Sequence, residues 1–215
     1  MGEKDPNDFP EPNGIRQVIG QRRFLALTLL VWSAVAWIGP DTARAAYYRT
    51  AVFPWDLVES ARGYWAEVGV GIRDALEDFP ELNVAYVFDE NLADDMGVRR
   101  LRLREGEADA LWVKPSPYLI GAPNYPLVYE IAQRSGVDLV LMYAMDLDME
   151  DREMANYTIE QQTVFVIDTL NQRVYHYQEK DNDGWMSEVS TGVSWRSVSS
   201  ALRQFLDEAE RRRGR

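Results

Sequence analysis

The stretch "RSGVDLVLMYAM", Arg134–Met145, decides how the chain is read. It is either a strand end that presents a catalytic acid, Asp138, or a buried strand whose acid only ties down a bend. The residues before it favour the second reading. Pro126 suits the first turn of a helix, where its missing N–H has no intrahelical partner to lose. Leu127, Val128, Ile131 and Ala132 give that helix an apolar face, and Gly136 stands where a left-handed C′ residue is needed. The run "DLVLMYAM" is almost continuously apolar, as expected of a strand covered on both faces. An aspartate at such a junction commonly accepts backbone N–H bonds. No second acid, base or metal ligand keeps a fixed spacing with Asp138.

Working outward, Tyr48–Trp55 reads as a first strand ended by Pro54. Leu57, Ala61, Tyr64, Trp65, Val68, Ile72, Ala75, Leu76 and Phe79 then recur at helical spacing, and Pro80 closes the helix. Gly63, Gly69 and Gly71 weaken it, and close packing against a sheet is the expected reason for them. Asn83–Glu90 is a second strand. The region 110–126 carries four prolines and reads as a long ordered loop. "TIEQQTVFVID" and "RVYHYQE", separated by "TLNQ", form a hairpin signal. A last helix carries Val198, Ala201, Leu202, Phe205, Leu206 and Ala209 on one stripe, with Ser194 or Ser197 as N-cap candidates. The expected class is α/β: a mixed five-stranded sheet with a C-terminal-side antiparallel hairpin, flanked by three helices. Residues 46–215 form one domain in this reading, with the Pro-rich aromatic insert at 110–126.

Composition narrows the function classes. The 215 residues are 46% hydrophobic and carry a net charge of −12, so a folded domain is expected and a nucleic-acid partner is not. The basic runs Val98–Arg104 and Arg211–Arg215 read as solvated charge. Cysteine is absent, which removes disulfides, thiolate ligands, a cysteine nucleophile and a lipobox anchor. His176 is the only histidine, so a zinc site would need carboxylates almost alone. No catalytic residue, metal or cofactor is expected. Gly69-Val70-Gly71 lacks the strand before it and the third glycine of a nucleotide loop. Gly192–Arg196 fails the nucleophile-elbow pattern at its last position. The acidic stretches Asp146–Glu153 and Asp181–Gly184 read as solvated acidic loops and miss the EF-hand spacing; Ser190 stands where the closing Glu belongs.

The N-terminus reads as an address. Arg22 and Arg23 precede an apolar run, Phe24–Ile38, then Pro40, and Ala43 and Ala45 stand at the two positions that signal peptidase reads. Residues 1–45 are expected to be an export signal cut after Ala45, placing the domain in the periplasm or outside the cell. The alternative is an uncleaved inner-membrane anchor facing the periplasm, although the run is shorter than the roughly 20 residues of a usual span.

These elements also carry a resemblance. "RTAVFPW", the run Ala132, Gly136, Val137, Asp138 leading into an apolar strand, and "VFVIDTLNQRVYHY" resemble the envelope α/β superfamily that includes the TolB amino-terminal domain, CsgG, FlgO and LpoB. Asn171-Gln172 stands where that pattern usually has Thr-Gly. The resemblance covers roughly residues 48–180 and implies an envelope domain with no active site, working through a protein partner or in a homo-oligomer.

The aromatic insert supplies the candidate contact residues. Trp112, Tyr118, Tyr125 and Tyr129 are large groups for such a region, and aromatic anchors dominate interface energy. The opposing expectation is that the loop folds back to cap the sheet. The leading expectation is thus an exported, non-enzymatic envelope domain that binds a protein partner or itself. A soluble-ligand or glycan binder using the stretch 112–129 comes second, and a carboxylate-based hydrolase third.

Overall fold

The computed structural model describes residues 48–116, 118–151, 156–185 and 194–213. The expected export signal, with Ala43 and Ala45, lies outside these residues, as does Gly192-Val193. In chain order the elements are β1 (Tyr48–Val52), β2 (Asp56–Leu57), a 3₁₀ turn (Glu59–Tyr64), α1 (Trp65–Glu77) and β3 (Leu82–Val87). Next come α2 (Glu90–Asp95), β4 (Arg99–Arg100), α3 (Glu107–Ala110), β5 (Trp112–Val113), β6 (Ala122–Pro123) and α4 (Tyr125–Ser135). The chain then forms β7 (Leu139–Asp151), β8 (Asn156–Asp168), β9 (Arg173–Trp185) and α5 (Ser194–Arg213). The main sheet has the order β4-β3-β1-β7-β8-β9, with β2 also pairing β7. Pairings from β4 to β7 are parallel; β7, β8 and β9 are antiparallel. The mixed α/β class expected from the sequence is therefore the one observed.

Strand β7 explains the arrangement. Leu139, Leu141, Tyr143 and Met145 point into one core, with residues of α1 and α5; Val140, Met142 and Ala144 point into the other, with residues of α4. All seven are essentially inaccessible to solvent. Period-two alternation turns a continuous apolar run into two apolar faces. Burying each larger side chain contributes roughly 1.5–3 kcal/mol. One polar group enters this interior with its partners. Tyr143 Oη donates to Gln162 Oε1 at 3.1 Å, Gln162 Nε2 donates to Glu179 Oε2 at 2.9 Å, and Ser197 on α5 reaches the same oxygen at 3.4 Å. Burial, then the nearby Glu179 charge, pushes the Tyr143 hydroxyl pKa upward, so it stays a donor.

The approach to β7 matches its sequence reading. Gly136 is left-handed, at φ 62° and ψ 45°, and the amides of Gly136 and Val137 return to the carbonyls of Gln133 and Ala132. Asp138 then bonds β1 twice: Oδ2 accepts from Arg49 N at 3.0 Å, and its amide donates to Arg49 O at 2.7 Å. Its own carbonyl accepts from the amide of Thr169, in the turn after β8. That turn lacks glycine. Instead Asp168 accepts from the amide and the side chain of Asn171, and Gln172 takes the left-handed conformation, at φ 51°.

Several expectations need correction. Leu57 is on β2, beside Met145, because the parallel ladder resumes past Pro54; the helix starts later, and its first turn is 3₁₀. Two short helices and four two-residue strands, β2, β4, β5 and β6, join the three helices and five strands foreseen. Asp89 caps α2 by accepting from Leu92 N at 2.9 Å, a start signal the sequence reading passed over. The insert 110–126 is not loop throughout. Trp112 pairs Pro123 and Val113 pairs Ala122, an arrangement that tolerates proline because the pair is all edge. The acidic stretches after Met145 and Lys180 are strand in the described residues. The β7–β8–β9 ladder continues through them, with register shifts between Asp146 and Asp151. At Gly69, a Cβ would stand 3.5 Å from the Trp55 ring, an ordinary contact, so close packing does not account for that glycine.

The junction acid yields a direct test. Asp138→Ala removes a carboxylate acceptor from the β1 backbone and should lower unfolding free energy by about 1–3 kcal/mol. In urea titrations the midpoint should fall with an unchanged slope.

Candidate functional site

In an open α/β sheet, chain segments leaving the carboxyl ends of parallel strands diverge and leave a crevice. Such a crevice forms here beyond β1 and β3, with a volume near 630 Å³. Pro54 and Trp55 reach it from the segment after β1, Asp56 from β2, Phe88 from just past β3, Arg62 from the 3₁₀ turn, Trp65 from the start of α1, Ala108 and Asp109 from α3, and Trp112 and Lys114 from β5 and the residue after it. Three tryptophans therefore share one cleft.

Each is held differently. Trp55 is buried, and its ring lies 4.6 Å from that of Trp65, tilted by 38°. Trp65 Nε1 donates to Asp89 Oδ2 at 2.9 Å, so the acid that caps α2 also fixes this ring. Trp112 Nε1 donates to Pro54 O at 2.9 Å, and its ring meets Phe165 edge-on at 6.0 Å. Trp55 Nε1 is buried and has no partner among the described residues. An unmade bond of this kind costs roughly 1–3 kcal/mol.

Two of the cleft's four charged side chains, Asp56 and Lys114, are committed to each other. Asp56 is buried; one carboxylate oxygen meets Lys114 Nζ and the other accepts from Gly121 N at 2.8 Å. This joins β2 to both sides of the β5–β6 hairpin. A Cβ on Gly121 would sit 3.1 Å from both Lys114 Cγ and Trp112 Cβ, so a larger residue here would have to push these side chains aside by a few tenths of an ångström. Arg62 and Asp109 are exposed at the rim. Asp138 does not line this cleft; His176 is exposed on β9, where its ring stacks on Phe165 at 6.2 Å.

The four contact candidates do not assemble into one site. Trp112 forms part of the cleft, buried to 8% exposure. Tyr118 is 69% exposed between β5 and β6, beside Leu119 at 50%; Val113, on β5, is 59% exposed. Tyr125 and Tyr129 sit on α4 and pack, half buried, on the second core. Desolvation raises the pKa of both hydroxyls, with a smaller contribution from Tyr129 on Tyr125 and from Asp168 on Tyr129. Sequence reading missed Trp55, Trp65, Asp56 and Lys114 as cleft residues. The available signal was the position of Trp55 and Asp56 just after "AVFP", at the carboxyl end of the first parallel strand.

Among the described residues no helix is long and apolar enough to cross a membrane, and no cluster of three or more acids or histidines could hold a metal ion. No family model matches the chain, and no curated protein matches it. Solved structures do align. A PelC dodecamer from Paraburkholderia phytofirmans covers 74% of this chain and 86% of its own, at 14% identity and a TM-score of 0.41. Lipoprotein GNA1162 from Neisseria meningitidis covers 74% and 98%, at 15% identity and 0.34. The LpoB C-terminal domain from Salmonella enterica covers 66% and 85%, at 10% identity and 0.33.

One wall of the cleft has a pH-dependent brace. Glu107 on α3, next to Ala108 and Asp109, takes a two-pronged bond from Arg134 on α4, at 2.7 and 2.9 Å, and a third from Arg104 N at 2.6 Å. The Arg134 bonds, then the Arg104 amide, hold its pKa at about 2, below the ordinary 4.5. A depressed acid stabilises the fold fully above its unfolded value; that contribution fades as pH falls from about 4.5 through about 2. Glu107→Gln should therefore melt below wild type at pH 6, and the gap should close on acidification toward pH 2, read as melting temperature by circular dichroism.

Proposed function

We propose that the domain is a non-catalytic binding module of the cell envelope that docks a protein partner, or a second copy of itself, at the tryptophan cleft and the hairpin beside it. The observation that carries this is the pairing of the cleft's polar groups. Asp56 is held by Lys114 and Gly121, Trp65 by Asp89, and Trp112 by Pro54. Groups so engaged hold a shape and leave no acid–base pair poised over a substrate. The surface still available is largely apolar: the tryptophan walls, and Val113, Tyr118 and Leu119 exposed on the β5 segment and the turn after it. Exposed aromatic and aliphatic groups grouped in this way mark interaction surfaces.

This reading takes the N-terminal run as an export signal and places the domain in the periplasm or outside the cell. An uncleaved anchor would hold the same domain at the membrane surface.

A second reading, a soluble glycan ligand, is favoured by the tilted Trp55–Trp65 pair next to an unpaired indole N–H.

Photocrosslinking from position 118 in cells, combined with light scattering, tests the proposal. One partner, or a second copy, should be captured in wild type, and Trp65→Ala or Leu119→Ala should reduce capture at least tenfold. Leu170→Ala, exposed in the β8–β9 turn, should leave it unchanged. Equal capture by all variants would overturn the proposal. Quenching of tryptophan fluorescence by a soluble oligosaccharide, with no capture, would replace it with the second reading.

A further inference from the structure

The chain is acidic, yet guanidinium groups gather at one edge of its sheet. Edge strand β4 and the residue pair after it present Arg99, Arg100 and Arg102, all exposed, while Leu101 between them is buried. Parallel register sets Arg99 beside Tyr86 of β3. Two arginines share that ring. Arg99 Cζ lies 4.7 Å from its centroid and Arg49 Cζ 5.4 Å, and Arg49 Nη2 donates to Tyr86 Oη at 3.1 Å.

The distribution of carboxylates sharpens the picture. Arg100 is paired with Glu90 at 2.7 Å, and Arg134, at the end of α4, is held by Glu107. Arg49, Arg99 and Arg102 have no ion pair among the described residues. The surface between Tyr86, Arg99, Arg102 and Arg134 is concave, with a volume near 530 Å³. Two cations held at one ring repel each other, and an anion bound beside them relieves that repulsion. A single carboxylate neutralises one charge. A phosphate monoester carries close to two negative charges and three acceptor oxygens, which suits several guanidinium forks at once.

We propose that this concavity, lined by Tyr86, Arg99 and Arg102 and backed by Arg49 on the Tyr86 hydroxyl, binds a phosphate-bearing anion. Tyr86 preorganises the site: its ring seats Arg99 and its hydroxyl orients Arg49, so less side-chain freedom is lost on binding. The site is separate from the tryptophan cleft and does not depend on it.

Two binding experiments on the full-length chain distinguish the source of the phosphate. Inorganic phosphate is titrated calorimetrically at low ionic strength. Sedimentation with phosphatidylglycerol-containing vesicles is compared with sedimentation with pure phosphatidylcholine vesicles. Arg99→Ala/Arg102→Ala should weaken the response at least tenfold, while Arg62→Ala, at the rim of the other cleft, should not. Both changes fall on exposed side chains, and an unchanged melting temperature confirms folding. Tyr86→Phe, which keeps the ring and removes the acceptor for Arg49, should give an intermediate loss. A response to phosphate assigns a soluble ligand; a response to anionic vesicles alone assigns a lipid headgroup. If the double variant matches wild type in both experiments, the proposal is overturned.

Discussion

The burial of β7 on both faces is the constraint on which the rest of the molecule depends. A strand whose alternate residues enter two separate cores needs helices on both sides of the sheet. Here α1 and α5 cover one side and α4 the other. Such a strand must also sit in the interior of the sheet, with β1 parallel on one flank and β8 antiparallel on the other. Register matters more here than in a half-exposed strand, because a slip of one residue would exchange every side chain between cores. Asp138 fixes that register where the strand begins, by clasping the backbone of β1 at Arg49. The acid that could have been read as catalytic is thus part of the alignment of the two central strands.

The same constraint places the cleft. Because β1 and β3 run parallel to β7, their carboxyl ends open together, and the chain beyond them must turn away. Tryptophans at 55, 65 and 112 fill the space that results, and Asp56 pins the β5–β6 hairpin across it through Lys114 and Gly121. Asp56, Lys114 and the indole N–H groups of Trp65 and Trp112 hold the walls together.

How much of this was legible in the sequence depended on the kind of signal. Long elements with strict periodicity were legible: the alternation of β7, the stripe of α5, and the Pro126 and Gly136 boundaries of α4. The Asp138 tie was legible because its position at a helix-to-strand junction leaves few other roles. Short elements were not. The strand β2 and the pair β5–β6 have two residues per strand and exist only because a neighbour's backbone offers a ladder. The antiparallel continuation beyond Met145 was hidden by composition. Acidic residues suggest loop, and only pairing with β8 makes them strand. At the site, Trp112 was singled out for its unusual setting. Trp55 and Trp65 passed as core residues, because nothing local shows that a strand end and a helix start 10 residues apart will face each other. Tyr125 and Tyr129 share the second core with Trp112, but α4 holds them there away from the cleft, which Trp112 alone of the three lines.

Amide hydrogen exchange along β7 tests the central claim most directly. If the interior strand organises the fold, the amides of Leu139–Met145 should be among the slowest in the chain. They should exchange only through global unfolding, with an opening free energy equal to that from denaturant titration. Exchange of these amides faster than those of α4 or α5, at an opening free energy below the global value, would contradict the account.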